Sequence, residues 1–201
     1  MNSNLHAFLR SRRSVRHFLP QKIPEDALLR ILETTSYAPS AHNRQPWRLV
    51  VLTSIEARWR LAEAISKKLE ADMSADGSAP ADIRSRVERT IRRTNEAPLV
   101  IVLCWDVTQV DTQPDASRMQ AEAEMGRQSV AAAGLQLLLA AEAEGLSGTW
   151  ICWPLFAQNE TRKALGLPQE WEPQGMMFLG YPSDHPEAPA RKPLPEIVRY
   201  I

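Results

Sequence analysis

Apolar positions recur with two periods along this chain. In EDALLRILETTSYA, 25–38, Leu28, Ile31, Leu32 and Thr35 fall at helical spacing, with Pro24 before the run and Pro39 ending it. Segment 55–70 also predicts a helix. IRSRVERTIRR, 83–93, sets Ile83, Val87 and Ile91 on one face and its arginines on the other, as a helix with a solvated outer face does. WRLVVLT, 47–53, is β-branched and apolar and predicts a strand. PLVIVLCW, 98–105, is apolar throughout and predicts a fully buried strand. TWICW, 149–153, and EPQGMMFLGYP, 172–182, predict two more.

The longest helix runs from about Pro114 to Glu144. Its second half, SVAAAGLQLLLAA, is apolar nearly all round, which suits a central helix packed on several sides. NETRKALGL, 159–167, predicts a short helix begun by Asn159 with Gly166 near its end. SADGSAPAD, 74–82, reads as a polar, flexible break, more simply a surface loop than a mobile loop over a substrate. The tail from residue 183 is proline-rich, and its end, LPEIVRYI, turns apolar again. Such a terminus needs a surface to cover, which can belong to another subunit. About five helices and four strands in irregular order predict an α+β or mixed layered fold, with residues 1–201 as one domain and no internal repeat.

Composition narrows the function. The chain has 201 residues, with 24 Lys and Arg against 24 Asp and Glu. That balance argues against a general nucleic-acid binder, so any anion site must be local. Cys104 and Cys152 both lie in apolar stretches and read as buried thiols of a reducing compartment. MNSNLHAFLR has no run fit for a signal peptide, and VAAAGLQLLLAA, 130–141, is too short to span a bilayer. The expectation is a soluble cytoplasmic protein. His6, His17, His42 and His185 are not at metal-ligand spacing, and neither common phosphate loop nor a serine-hydrolase elbow occurs. If the protein is an enzyme, a bound cofactor is expected to carry its chemistry.

Two stretches could hold such a cofactor. SRRSVRHF, 11–18, placed at the end of a first helix from about Asn4, sets Arg12, Arg13 and Arg16 on adjacent turns with Ser14 between them. Guanidinium forks and a short hydroxyl suit phosphate oxygens. A basic helix C-terminus stabilised by the dipole is an equal reading of the same residues. YAPSAHNRQPWRLVV, 37–51, carries Ser40, His42, Asn43, Arg44 and Gln45 between a helix and a strand. Its amides and hydroxyls suit a flat heterocycle, or else a polar loop held by Asx-type turns. Trp47, Trp150, Trp153 and Phe156 can line a cavity, although core packing is the simpler reading of each.

RRSVRHF, APSAHNRQPWRLVVL, GLQLLLAAEAEGLSGTWI and GYP…ARKPLPEIV, in that order, resemble the signatures of the nitroreductase family across essentially the whole chain. The resemblance implies an FMN-dependent homodimer of α+β fold, with a central, mostly antiparallel sheet flanked by helices, exchanged C-terminal tails and two flavin sites at the dimer interface. It implies that Arg12, Arg13, Ser14 and Arg16 form the first flavin-binding segment. The first arginine and the serine would serve the phosphate and ribityl chain, and Arg16 the N1/C2-oxygen side of the ring. Pro39, Ser40 and Ala41 would reach the flavin from the other subunit. Asn43 and Gln45 match amide positions, and Arg191 and Lys192 match basic residues that close on the phosphate. The implied activity is hydride transfer from NAD(P)H through flavin N5 to a nitroaromatic, quinone or enone.

ALGLPQEWEPQGMMFLGYP also resembles the FMN domain fused to the glutamyl ligase of deazaflavin-coenzyme biosynthesis, so reduction of a dehydro precursor of that coenzyme is an alternative. A non-catalytic flavin-binding or storage protein is another. A biosynthetic reductase would need basic groups for a phosphorylated or carboxylated substrate. Lys67, Arg84 and Arg86 are candidates, but they alternate with Glu70, Asp82 and Glu88 as solvated faces do.

Overall fold

The computed structural model describes residues 3–201. Four strands form one antiparallel sheet in the order β1-β2-β4-β3: β1 (Trp47–Leu52), β2 (Leu99–Asp106), β3 (Ser147–Ile151) and β4 (Trp171–Gly180). In the register of the inner pair, Val102 lies opposite Val50 on one side and Met176 on the other. Side chains alternate across the pleat, and helices cover both faces. Ile101, Leu103 and Trp105 join Met177 and Leu179 under α5 (Ala116–Ala143) and α2 (Glu25–Ser36), through Val130, Leu137 and Ile31. Val100, Val102 and Cys104 join Met176 and Phe178 under α3 (Ile55–Ala75), through Leu61 and Ile65. Covering both faces is why every residue of β2 is buried and why its sequence does not alternate.

The long helix lies close on the sheet. A Cβ at Gly134 would stand 2.1 Å from Trp150 Cζ3, so only glycine permits this approach. The α+β architecture is the expected one, and so is the left-handed cap at Gly166 (φ +63°), which ends α7 (Gln158–Leu165).

Several local expectations are corrected. The first helix, α1 (Ser3–Ser11), stops before the arginine run. Arg13 Nη1 donates to the carbonyls of Arg10, Ser11 and Arg12 at 2.6, 2.9 and 3.0 Å, which ties off the helix end. Val15 is 1 % exposed, and its N–H donates to Gly148 O at 3.2 Å. Burying that valine on the sheet edge requires extended chain, so Arg12–Arg16 do not sit on helical turns.

The polar break at 74–82 shrinks to a turn. α3 continues to Ala75, and α4 (Pro80–Glu96) begins with proline at its first turn. Gly77 (φ +73°) and the bond from Ser78 N–H to Met73 O (2.9 Å) close the turn, making α3 and α4 a helical hairpin. β3 ends at Ile151, and Trp153 opens the short helix α6 (Trp153–Phe156). Asn159 lies inside α7, whose N-cap position is Ala157, and gives no side-chain cap. Cys104 is buried, and burial pushes its thiol up to about 12. Cys152 is exposed, because it sits at the corner between β3 and α6.

Ser183 N–H still bonds His17 O at 3.1 Å, but residues 183–201 are exposed throughout, including the final turn, α8 (Leu194–Ile197). No helix among the described residues is long and apolar enough to cross a membrane.

Candidate functional site

The edge strand β3 positions the arginine segment. Ser14 forms a parallel bridge with Gly148, and four residues later Phe18 bridges Pro182. Between these pins the segment crosses the ends of β3 and β4. Arg12, Arg13 and Ser14 are half-buried, and Arg16 is exposed. No ion pair involves any of the three arginines among the described residues. Arg13 is occupied by its own helix end, so the structural reading holds for that residue. Arg16 Nη1 donates to the Ser14 carbonyl at 3.0 Å, and neither Arg12 nor Arg16 has its charge neutralised by a carboxylate among the described residues.

Arg16, His17 and Phe18 meet the end of α4 around a cavity of about 400 Å3, to which α4 contributes Arg93 and Glu96 and the residue after it, Ala97. The Arg93 guanidinium is held below its ordinary value, first by burial and then by the charges of Arg89, Arg16 and Arg92. Two cations thus stand near each other at one cavity, against the single carboxylate of Glu96 in its wall, and this excess of positive charge suits an anionic or electron-rich group. Sequence reasoning missed Arg93. Its only signal was density: 83–93 holds five arginines and a single glutamate.

The loop after α2 forms a second cluster. Ser40 Oγ accepts from Gln45 N–H at 3.0 Å, and Ala41 N–H donates to Ser129 Oγ of α5 at 3.2 Å. His42, Asn43 and Gln45 all have φ near +50°, a left-handed conformation that non-glycine residues adopt at a cost. The Arg44–Asp111 ion pair and the bond from Gln45 Nε2 to Asn43 Oδ1 (3.2 Å) hold them there. Pro39, Ser40 and Ala41 line a cavity of about 340 Å3 with Met125, Gln128, Ser129 and Ala132 of α5.

The structure therefore brings Arg16 and Arg93 together, and separately gathers Pro39, Ser40 and Ala41, with Asn43 and Gln45 on the same loop. Neither cavity is lined by residues of the other cluster. Arg191 and Lys192 lie on the exposed tail and line neither.

A third cavity, of about 450 Å3, is mostly apolar. Ile65, Leu69 and Met73 of α3 face Trp153 and Phe156 of α6 across it, with Asp72 and Asp76 also in its wall. Trp153 packs edge-on to Phe178 at 6.1 Å, while Phe156 is 73 % exposed. Of the four aromatics weighed as cavity walls, Trp47 is buried in the core and Trp150 fills the space beside Gly134 and Gly175.

The nitroreductase family model matches residues 9–181, from the end of α1 to the end of the sheet. The chain belongs to the nitroreductase family. Among its relatives is YfhC of Bacillus subtilis, assigned by name to the NAD(P)H nitroreductases. It is 27 % identical over 196 residues, covering 96 % of this chain and 92 % of that one. The 5,6-dimethylbenzimidazole synthase of Rhodospirillum rubrum is 29 % identical over 196 residues, covering 97 % and 87 %. A BluB-like flavoprotein from Clostridium difficile 630 shares the fold, with a TM-score of 0.81 at 23 % identity and 98 % of each chain covered.

Proposed function

We propose that this family member is an FMN-dependent oxidoreductase that takes electrons from NAD(P)H and delivers them to a small nitroaromatic, quinone or enone. The observation that carries the reading is the Arg12–Arg16 segment, pinned on the β3 edge with a hydroxyl and with two guanidiniums, Arg12 and Arg16, that have no carboxylate partner among the described residues. That donor set fits a phosphate and an electron-rich ring edge. Arg12 and Ser14 would take the phosphate and ribityl oxygens through charge-assisted bonds. Arg16, with Arg93 beside it, would hold positive charge against the N1/C2-oxygen edge. Arg13 would fix the turn that presents Arg12. When bound, FMN supplies the two-electron chemistry at N5, so the chain needs no nucleophile of its own.

The reading includes a homodimer of one-domain subunits. The tail carries exposed Leu194, Ile197, Tyr200 and Ile201, and Val198 is extended (φ −124°, ψ 130°). β1 ends the sheet with its outer edge unpaired among the described residues, a place where an extended segment of a second copy can add a strand. In that arrangement Pro39, Ser40, Ala41, Asn43 and Gln45 would reach the partner's flavin, and Arg191 and Lys192 would close on a phosphate. The apolar cavity walled by Trp153 and Phe156 is the proposed seat of the acceptor ring.

A second reading, a biosynthetic reductase or oxidase with one dedicated substrate, is favoured by the likeness to the dimethylbenzimidazole synthase. Steady-state turnover separates the two. The first predicts that NADH or NADPH drives reduction of both a nitroaromatic and a quinone. Flavin-loaded protein that turns over neither with either donor would reject it.

A further inference from the structure

The α3–α4 hairpin carries a polar cavity that the flavin reading does not use. It measures about 430 Å3 and is lined by Met73 and Ser78 from the end of α3 and the turn, and by Asp82, Ser85, Arg86 and Arg89 of α4. We propose that this cavity is a subsite for a phosphate monoester carried by a substrate of the oxidoreductase, so the inference rests on that reading.

Four observations carry it. First, positions 82, 85, 86 and 89 share one face of α4, so two guanidiniums and a hydroxyl converge on one volume. Second, neither Arg86 nor Arg89 is in an ion pair among the described residues, whereas Lys67 pairs with Glu63 at 2.8 Å and Arg84 lies outside the cavity. Third, Ser85 is exposed and its hydroxyl bonds no other described residue, so it is open to a ligand. Thr90 and Thr94 on the same helix, by contrast, donate to carbonyls four residues back. Fourth, the cavity adjoins the one proposed to seat the acceptor. Met73 lines both this cavity and the apolar one with Trp153 and Phe156. Arg93, beside Arg16, is seven residues from Arg86, about 10 Å along the helix.

Asp82 is the one carboxylate in the wall. Two guanidiniums outweigh it, and it can accept a hydroxyl from a sugar next to the phosphate. A ribose phosphate is thus the chemistry the cavity fits. The source is either the 2′-phosphate of NADPH or a phosphorylated acceptor.

The test uses FMN-saturated protein, in which a flavin phosphate site is already filled. Inorganic phosphate and adenosine 2′-monophosphate are titrated calorimetrically into wild type, R86Q/R89Q and the control R84Q. The expected result is binding of both probes to wild type and R84Q, weakened about tenfold or more in R86Q/R89Q. If the ratio of KM for NADPH to KM for NADH rises by a similar factor in R86Q/R89Q, the phosphate is the donor's. If phosphate binding falls but that ratio stays, it is the acceptor's. Equal phosphate affinity in wild type and R86Q/R89Q, or none in wild type, overturns the proposal. If the protein retains no FMN, the flavin reading fails, and the same phosphate comparison still judges this cavity.

Discussion

Arg12, Arg13, Arg16 and Arg93 are one residue type in four roles, and their surroundings separate them. Arg13 spends its donors on three carbonyls of its own turn. Arg13→Ala should therefore cost stability, about 1 kcal/mol in a urea titration, by leaving the end of α1 untied. Arg93 is exposed to the repulsion of Arg16, Arg89 and Arg92. If a flavin ring edge relieves that repulsion, Arg93→Gln should shift the flavin midpoint potential downward by about 20 mV, a coupling on the order of 1 kcal/mol for two electrons. An unchanged potential in spectroelectrochemistry would remove Arg93 from the site. The sequence showed the arginines at 12, 13 and 16 but not which of them was free, because Val15 decides the local backbone and its burial depends on the distant Gly148. Arg93 was illegible for a similar reason: nothing in 83–93 says which face of α4 meets residues 16–18.

At the scale of elements, pattern served best where burial is complete and periodicity is long. The four strands and the helices α2, α3, α4 and α5 were legible from apolar spacing. Short-range chemistry misled at the ends. The polar company of Pro80 suggests a break where the residue starts a helix, and Asn159 suggests a cap where Ala157 holds that position. The close approach of α5 to the sheet gives a direct check. Gly134→Ala puts a methyl into Trp150 and should destabilise by roughly 1–3 kcal/mol, read as a lower urea midpoint. Arg30 ties α2 to the end of α5, bonding Asp26 and Glu144 at 2.8 Å each. Hydrogen bonding to Arg30 holds both carboxyls below their ordinary values of 3.8 and 4.5. Groups lowered by folding stabilise above their unfolded values and lose that contribution as pH falls through the folded ones. The Tm difference between wild type and Arg30→Ala should thus be present near neutral pH and shrink in acid below those values. A difference that grows in acid would contradict the pairing.

For the whole molecule, the apolar tail and the two separate clusters point to the same arrangement. One chain presents an arginine segment and, in another cavity, a serine- and amide-bearing loop. Two chains can bring one of each to a shared flavin. Removing residues 184–201 should convert a dimer to a monomer in light scattering and lower FMN retention, since stable dimer interfaces commonly bury more than about 2,000 Å2. Monomeric full-length protein that retains flavin would overturn the shared-site arrangement. The central claim, that the Arg12–Arg16 segment holds the cofactor, is tested most directly by titrating stripped protein with FMN, following the flavin fluorescence, for wild type and Arg12→Ala. The account predicts one FMN per chain in wild type and an affinity at least about tenfold weaker in the variant, from a charge-assisted bond of roughly 1.5–3 kcal/mol. Equal affinities, or a wild-type protein that binds no FMN, would contradict it.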